Sequence, residues 1–201
     1  MQKVNKPESK YNANFTAGGL LHNEFNALKD IILLDDFDNA ISKEIEENNL
    51  MSIDTRASRK RISQEVVRRR EVAPKNFWTF FYQLNEREQK LGLFYIALKT
   101  YQILFDIHLD VAVKKFKTTR TLTTYDVTMR LDEIASKDDY VGSWSQSTLE
   151  KINTRYRRAL QETELYENEQ LMRSPIENNE FWEYFNTSGE NWFLTACFIG
   201  L

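Results

Sequence analysis

Residues 91–113 constrain the fold of this chain more than any other segment. Read as a helix, they carry apolar side chains on nearly every side, as in a buried core helix or a membrane span. Five polar or charged residues interrupt the segment, namely Lys99, Gln102, Asp106, His108 and Asp110. Each charge near the centre of a bilayer is costly. We therefore predict a core helix, with the aromatic residues of 77–82 packed against it.

The composition fits a helical protein that folds in water. Hydrophobic residues make up 41% and charged residues 28% of the chain, and the few prolines and glycines favour helices over loops. The single cysteine, Cys197, excludes an internal disulfide framework and suits a reducing compartment. The first residues lack the apolar stretch of a secretory signal. We expect a mainly α, cytoplasmic protein without a membrane span.

The pattern along the chain predicts four parts of a compact helical protein. Residues 1–14 are polar and are predicted to form a flexible arm. Residues 15–118 would form an N-terminal helical domain around the core helix, beginning with one helix from Thr16 to Ile32. Residues 119–176 would form a winged-helix-like subdomain. Residues 177–201 are rich in aromatic side chains and are expected to dock on the core.

Positive charge is concentrated in three clusters, although the net charge is −3. Basic clusters of this kind are typical of phosphate-binding faces, and also of solvated helices and helix C-termini. The first cluster lies on a predicted helix over residues 55–70, where some arginine stems would cover apolar surface. The candidate nucleic-acid-binding residues of the first two clusters are Arg56, Arg59, Lys60, Arg61, Arg68, Arg69, Lys114, Lys115 and Lys117.

The third cluster lies in a pattern that predicts a winged helix-turn-helix. A short amphipathic helix containing Val127, Leu131 and Ile134 is followed by a polar connection, a helix over residues 146–161 and a hairpin near residues 167–169. The second helix would place Leu149, Ile152, Tyr156 and Leu160 on its inner face. Such a fold lays its second helix in the DNA major groove. The candidate contact residues on its outer face and near its start are Gln146, Thr148, Lys151, Thr154, Arg155 and Arg158.

Catalytic patterns are absent from the sequence. It contains no H-E-x-x-H, C-x-x-C, G-x-S-x-G or Walker phosphate-loop motif. His22 and His108 occur in unrelated contexts, and Cys197 lies in an apolar run that indicates a buried side chain. We therefore predict no catalytic residue, no metal site, no cofactor and no small-molecule substrate.

Several motifs resemble the BrxA family of BREX anti-phage systems. They are F-T-A-G-G-L-L near the start, N-L-M-S-I-D-T-R-A-S-R-K-R-I, the aromatic and core helices, and S-x-x-T-L-x-K-I. The resemblance spans about Asn14 to Pro175. It implies a mainly helical protein likened to the NusB fold, with a non-enzymatic DNA-binding role. The Arg-rich segment of the family corresponds here to Arg56, Arg59 and Arg61.

The resemblance also implies partners. It places the protein beside a methyltransferase, an ATPase, a phosphatase-like component and other BREX proteins. Together with the basic clusters, it predicts an accessory protein of phage defence that binds double-stranded DNA. Two alternatives remain from the sequence. One is a protein-interaction adaptor whose basic faces meet acidic partners within the BREX complex, and the other is an RNA-binding protein similar to NusB.

Overall fold

The computed structural model describes residues 9–201, and helices account for 67% of the fold, which confirms the mainly α prediction. The first half contains a 3-10 turn Asn14–Ala17 and helices α1 His22–Ala27, α2 Lys29–Leu33, α3 Phe37–Glu47, α4 Arg56–Arg70, α5 Lys75–Phe81 and α6 Glu86–Thr100. The second half contains α7 Gln102–Ile107, a π-helical turn His108–Val113, α8 Lys114–Thr118, α9 Thr124–Lys137, α10 Asp139–Gly142, α11 Gln146–Glu162, strands β1 Tyr166–Glu167 and β2 Gln170–Leu171, α12 Asn179–Thr187 and α13 Trp192–Ala196.

Helix α6 is the central core helix. It begins with a capping box, in which Asn85 and Glu88 satisfy each other's backbone N–H groups. Leu93, Phe94 and Ile96 are completely buried, although they point in different directions around the helix. The prediction of a core helix is therefore confirmed for this segment. In residues 9–201, no helix is both long and apolar enough to cross a membrane.

The core helix does not continue to residue 113. Tyr101 adopts an extended backbone conformation (φ −119°, ψ 97°), which ends α6 and lets the chain restart as α7. This conformation directs the Tyr101 ring into a fully buried site beside Phe15 and the guanidinium of Arg69. The break depends on these distant contacts, so the prediction of one unbroken helix over residues 91–113 is wrong.

The predicted helix from Thr16 to Ile32 is also interrupted. Gly19 and Leu21 have positive φ angles of 67° and 62°, a left-handed conformation that no α-helix contains, and α1 starts only after them. A Cβ atom at Gly18 would lie 2.2 Å from Leu21 Cδ2, so a larger residue there would displace the buried Leu21 side chain. Phe25 and Leu28 are nevertheless buried, as the helical spacing predicted.

Residues 9–14 are attached to the body of the protein. Ser9 Oγ donates a hydrogen bond to Asp138 Oδ2 at 2.9 Å, and Tyr11 Oη donates to Asp106 Oδ2 at 2.7 Å. Lys10 Nζ also lies 3.1 Å from that Asp106 oxygen. The prediction of a flexible arm is therefore corrected for these residues, and the part of it on residues 1–8 lies outside the described residues.

The C-terminal segment packs on α6. The Tyr95 ring contacts the rings of Phe185 and Phe193, with centroids 5.0 and 5.3 Å away, and Phe198 stacks on Phe116 at 4.4 Å. These contacts join residues from distant parts of the chain, and a single hydrophobic cluster runs through all of them.

Candidate nucleic-acid interface

Helices α9, α10 and α11 pack into one unit. Thr123 and Asp126 form a capping box at the start of α9. Asp138 caps α10 by accepting hydrogen bonds from the backbone N–H groups of Tyr140 and Val141. A Cβ atom at Gly142 would lie 2.9 Å from the carbonyl oxygen of Ala135 in α9. Only glycine therefore lets α10 approach α9 this closely.

Helix α11 divides into a buried face and an exposed face, as predicted. It begins after Ser145, whose Oγ accepts a hydrogen bond from the Thr148 backbone N–H at 3.3 Å. Ile152, Tyr156 and Leu160 are completely buried against the rest of the protein. This packing fixes which side of the helix can meet a partner.

The exposed face of α11 carries most of the third basic cluster. Lys151, Thr154 and Arg158 are exposed, and Arg155 is half-buried. Together with Ser147 and Glu150 they line a shallow depression. Arg158 Nε donates to Glu162 at 2.9 Å, whereas Lys151 and Arg155 have no carboxylate partner within residues 9–201. These two cations are available to an external anion.

The start of α11 is polar. Gln146 is exposed and donates a hydrogen bond of 3.4 Å to Glu150, and Thr148 is half-buried. Both were predicted to lie where a recognition helix reads base edges. The structure places them on the first turn, about one turn before Lys151 and about two turns or slightly more before Arg155.

A buried histidine anchors α11. His108 Nε2 lies 2.8 Å from the Ala196 carbonyl oxygen, which can only accept, so Nε2 carries the proton and Nδ1 accepts from the Tyr156 hydroxyl at 2.9 Å. Burial lowers the pKa of His108 to about 4, despite the opposing hydrogen bond to Ala196. The neutral imidazole therefore connects the π-helical turn, α11 and the C-terminal segment.

Asn153 and Arg157 are structural contacts that the sequence prediction missed. Asn153 Nδ2 donates to the Thr124 carbonyl oxygen at 2.9 Å and to Thr128 Oγ1 at 3.0 Å. Its Oδ1 accepts from Arg157 Nε at 2.9 Å. Asn153 thereby fixes the crossing of α11 over the start of α9. Its polar character gave no sign of burial in the sequence.

The predicted hairpin is present, and residues 120–122 form backbone hydrogen bonds with its second half. The Leu122 N–H donates to the Glu169 carbonyl at 2.9 Å, and the Leu171 N–H donates to the Arg120 carbonyl at 2.7 Å. Asn168 and Glu169 both have positive φ angles, which two-residue hairpin turns with the right twist require. The exposed tip therefore carries Glu167 and Glu169 rather than basic residues.

The second basic cluster is largely neutralised. Lys114 Nζ lies 2.9 Å from Asp110, and Lys115 Nζ lies 2.6 Å from Asp126 at the start of α9. Lys117 is exposed, and no carboxylate in the described part of the chain pairs with it. Of the three predicted DNA contacts in this cluster, only Lys117 is both exposed and unpaired.

Two residues of the first basic cluster are buried, which corrects their prediction as nucleic-acid contacts. Arg59 donates to the carbonyls of Ile45 and Ile53 at 2.7 and 2.8 Å. Arg69 is completely buried and donates to the Tyr101 hydroxyl at 2.9 Å and the Leu20 carbonyl at 3.0 Å. Both guanidinium groups satisfy internal acceptors, so neither can reach an external phosphate.

The remaining residues of the first cluster differ in their partners. Arg56 forms an ion pair with Glu46, and Arg68 forms one with Glu65. Lys60 and Arg61 are exposed and have no carboxylate partner among residues 9–201. The positive charge on the exposed surface of α4 that has no ion-pair partner in this range therefore comes chiefly from these two side chains.

Residues 9–201 were also compared with the arrangements that metal binding and catalysis require. No group of three or more histidine, cysteine or acidic side chains in that range could hold a metal ion. Cys197 is buried, and burial raises its pKa well above the usual value of a thiol. His22 Nε2 lies 3.0 Å from both Gln89 Oε1 and Asn26 Nδ2, which are neutral amide groups.

Comparisons with known proteins give a family and a fold. The BrxA family model matches residues 9–189, which confirms the resemblance seen in the sequence motifs. A crystal structure of an uncharacterized protein from Magnetospirillum magneticum is similar to this chain, with a TM-score of 0.80 and 20% identity, over 94% of this chain and 98% of that one. This likeness shows the fold alone. No curated protein matches the chain. Because the family match extends over most of the sequence, the chain belongs to the BrxA family.

Proposed function

We propose that this protein is a non-catalytic component of a BREX system that binds double-stranded DNA through the exposed face of α11. Membership of the BrxA family implies a BREX component. The observation that carries the DNA-binding proposal is the division of α11. Its inner face is buried through Ile152 and Tyr156, while its outer face presents Lys151 and Arg155, which pair with no carboxylate of residues 9–201.

Charge and spacing support phosphate contacts on this face. Lys151, Arg155 and Arg158 recur at intervals of three or four residues, so they lie along one side of the helix. A duplex presents phosphates along both edges of its major groove, and cations that contact them release condensed counterions. The polar first turn, with Gln146, would then reach base edges while the later cations hold the backbone.

The surrounding elements support a winged helix-turn-helix arrangement. A short helix packs against α9 before α11 begins, and the hairpin that follows α11 pairs with residues 120–122. In this proposal α11 carries the DNA contacts and the hairpin does not, because Glu167 and Glu169 at its tip repel phosphates. The methyltransferase, ATPase and phosphatase-like BREX proteins remain the partners proposed from family membership.

Arg155→Ala/Arg158→Ala tests the proposal. Neither side chain contributes to the buried core, so the melting temperature should stay close to that of the unchanged protein. Affinity for a duplex should fall, and the slope of log K against log salt should become shallower by about 2, one for each lost phosphate contact.

The matched control is Lys43→Ala/Lys75→Ala, which removes the same charge from exposed positions on α3 and α5. It should leave the duplex affinity and the salt slope nearly unchanged. Competition with single-stranded DNA and RNA at two salt concentrations distinguishes the nucleic acids. Equal affinity and slope in the Arg155/Arg158 variant and the unchanged protein would overturn the assignment to α11. Stronger binding of RNA than of duplex DNA would replace DNA with RNA as the ligand.

A further inference from the structure

Arg157 lies on α11 but outside the set of residues predicted to contact DNA. Its side chain is half-buried, and it pairs with no carboxylate of residues 9–201. Its Nε donates to Asn153 Oδ1 at 2.9 Å, whereas its two terminal nitrogens donate to no acceptor in the same range. Neither terminal nitrogen is among the buried side-chain atoms of this range that lack a partner, so both can donate to an external acceptor.

A buried amide orients the Arg157 guanidinium. Asn153 is 3% exposed, and its Nδ2 donates to the Thr124 carbonyl oxygen at 2.9 Å and to Thr128 Oγ1 at 3.0 Å. Both acceptors belong to α9, so the amide cannot rotate without losing its bonds to that helix. Asn153 Oδ1 is therefore fixed toward Arg157 Nε. A side chain held in this way loses little conformational entropy when it contacts a ligand.

The other cations of α11 are held less firmly. The side-chain nitrogens of Lys151 and Arg155 form no hydrogen bond within residues 9–201, and Arg158 Nε donates to Glu162 on the same helix at 2.9 Å. Among these cations, Arg157 alone is bonded to a buried group that also bonds a second helix. Its guanidinium is therefore oriented before any ligand arrives.

Arg157 and Arg155 lie on opposite edges of the exposed face of α11. Residues two apart in sequence differ by about 200° around the axis of an α-helix. Thr154 and Arg158 lie between the two edges and are exposed. A helix with its side chains is about 10–12 Å wide, and the DNA major groove is about 12 Å wide. Cations at both edges can therefore reach the phosphates on both sides of the groove.

We propose that Arg157 is a pre-oriented phosphate contact at the edge of α11 that faces α9, and that Asn153 is its positioning residue. The inference rests on the proposed binding of duplex DNA through α11 and adds a second row of contacts to it. Lys151 and Arg155 would meet one phosphate backbone, and Arg157 would meet the other. A guanidinium bonded through Nε presents its two terminal nitrogens together, a geometry that suits bidentate contact with phosphate oxygens.

Arg157→Ala and Arg157→Lys test charge and orientation separately. Arg157→Ala should weaken duplex binding by about ten- to hundredfold, the size of one charge-assisted hydrogen bond, and should make the slope of log K against log salt shallower by about 1. Arg157→Lys keeps the charge, so the slope should stay unchanged. Its affinity should remain about three- to tenfold low, because an ammonium cannot bond Asn153 and phosphate in the same fixed geometry.

Thr128→Val is the matched control for structure. It removes the hydroxyl that accepts from Asn153 and so weakens the same crossing of α9 and α11 without changing charge. Thermal unfolding followed by circular dichroism should show similar decreases in melting temperature for Thr128→Val and Arg157→Ala. Only Arg157→Ala should lose duplex affinity and salt slope. Lys43→Ala removes one exposed cation from α3 and should change neither quantity.

The outcomes separate this inference from the proposed function. Equal affinity and slope for Arg157→Ala and the unchanged protein overturn the role of Arg157 but leave α11 as the DNA face. Equal losses of affinity in Thr128→Val and Arg157→Ala, without any change in slope, assign Arg157 to folding and also overturn its role. Full recovery of affinity in Arg157→Lys overturns the orientation by Asn153. Absence of duplex binding by the unchanged protein overturns the proposed function, and this inference with it.

Discussion

Arg69 and Arg61 lie eight residues apart on α4 but have different roles. The Arg69 guanidinium is enclosed with Glu65 and Tyr101, whereas Arg61 extends into solvent. Burial raises the pKa of Tyr101 to about 12, so its hydroxyl stays protonated and donates to Glu65 while accepting from Arg69. A sequence shows the arginines but not which of them meets a buried carboxylate, and the predicted basic face therefore included structural residues.

Arg69→Ala should destabilise the fold strongly. It removes a completely buried guanidinium that donates hydrogen bonds to the Tyr101 hydroxyl and the Leu20 carbonyl, while Arg68 remains as the ion-pair partner of Glu65. Leaving a buried acceptor without its donor costs about 1–3 kcal/mol. Urea unfolding measures this loss directly. Arg61→Ala on the same helix is the control and should change the unfolding free energy by less than about 0.5 kcal/mol. Similar losses in the two variants would contradict the structural role of Arg69.

His108 makes stability depend on pH. Its pKa is about 4 in the folded protein and about 6.5 when exposed, because burial among Phe94, Tyr156 and Phe198 disfavours the imidazolium. The pKa of His108 is lower in the folded protein than in the unfolded chain. The contribution of the neutral imidazole to the unfolding free energy is therefore complete above pH 6.5 and is lost as the pH falls from 6.5 toward 4. At ~1.4 kcal/mol per pKa unit, the loss approaches about 3 kcal/mol.

The variant His108→Gln isolates this contribution. A glutamine amide can donate to the Ala196 carbonyl and accept from the Tyr156 hydroxyl, but it does not titrate. Unfolding free energies at pH 7.5, 6.5, 5.5 and 4.5 should therefore fall less steeply for the variant, because the carboxylates common to both proteins cancel in the difference. Parallel pH profiles for the two proteins would show that His108 does not titrate in this way.

At the level of elements, local patterns predicted the position of α11 well. This helix was expected over residues 146–161 and spans Gln146–Glu162. Ile152, Tyr156 and Leu160 are buried as predicted, whereas Leu149 on the inner face and Arg155 on the outer face are half-buried. Capping residues, helical periodicity and turn chemistry are local signals, so a sequence contains them. The hairpin was predicted for the same reason.

Elements that depend on distant contacts were not predictable. The break after α6 requires the site that Phe15 and Arg69 build around Tyr101. The turn before α1 requires left-handed backbone at Leu21, a residue that rarely adopts it. Docking of residues 9–11 depends on Asp106 and Asp138, which lie about a hundred residues away in sequence. No local pattern encodes these pairings.

Helix α10 should tolerate no side chain at Gly142. The Cβ atom of alanine would come within 2.9 Å of the Ala135 carbonyl, so α10 and α9 would have to separate. Crowding of this kind typically costs 1–3 kcal/mol. Thermal unfolding of Gly142→Ala should show this loss, even though alanine favours helices. Ser143→Ala, at the exposed neighbouring position, is the control and should have a smaller effect.

Over the whole molecule, charge is segregated rather than balanced. The chain has a net charge of −3, yet α11 presents Lys151 and Arg155, which have no ion-pair partner in the described part of the chain, while the hairpin tip and α12 present carboxylates. A net negative charge repels the phosphates of DNA, so the proposed binding would have to use a restricted positive face. The affinity for a duplex should then fall steeply as the salt concentration rises. The proposed α11 face lies close to the acidic hairpin in sequence, because only residues 163–165 separate α11 from β1.

This proximity leads to a prediction of stronger binding. If α11 lies in the groove, Glu167→Gln/Glu169→Gln removes two negative charges that stand near the phosphates. For a carboxylate ~10 Å from a phosphate in water, the Coulomb repulsion that each substitution removes predicts an increase in duplex affinity of about two- to fourfold, largest at low salt. Glu180→Gln/Glu183→Gln on α12 removes the same charge farther along the chain and should have a smaller effect. A gain in affinity cannot arise from partial unfolding, so it discriminates well between binding faces. Equal gains in the two variants would indicate only a change in net charge, and no gain at the hairpin would place the DNA away from α11.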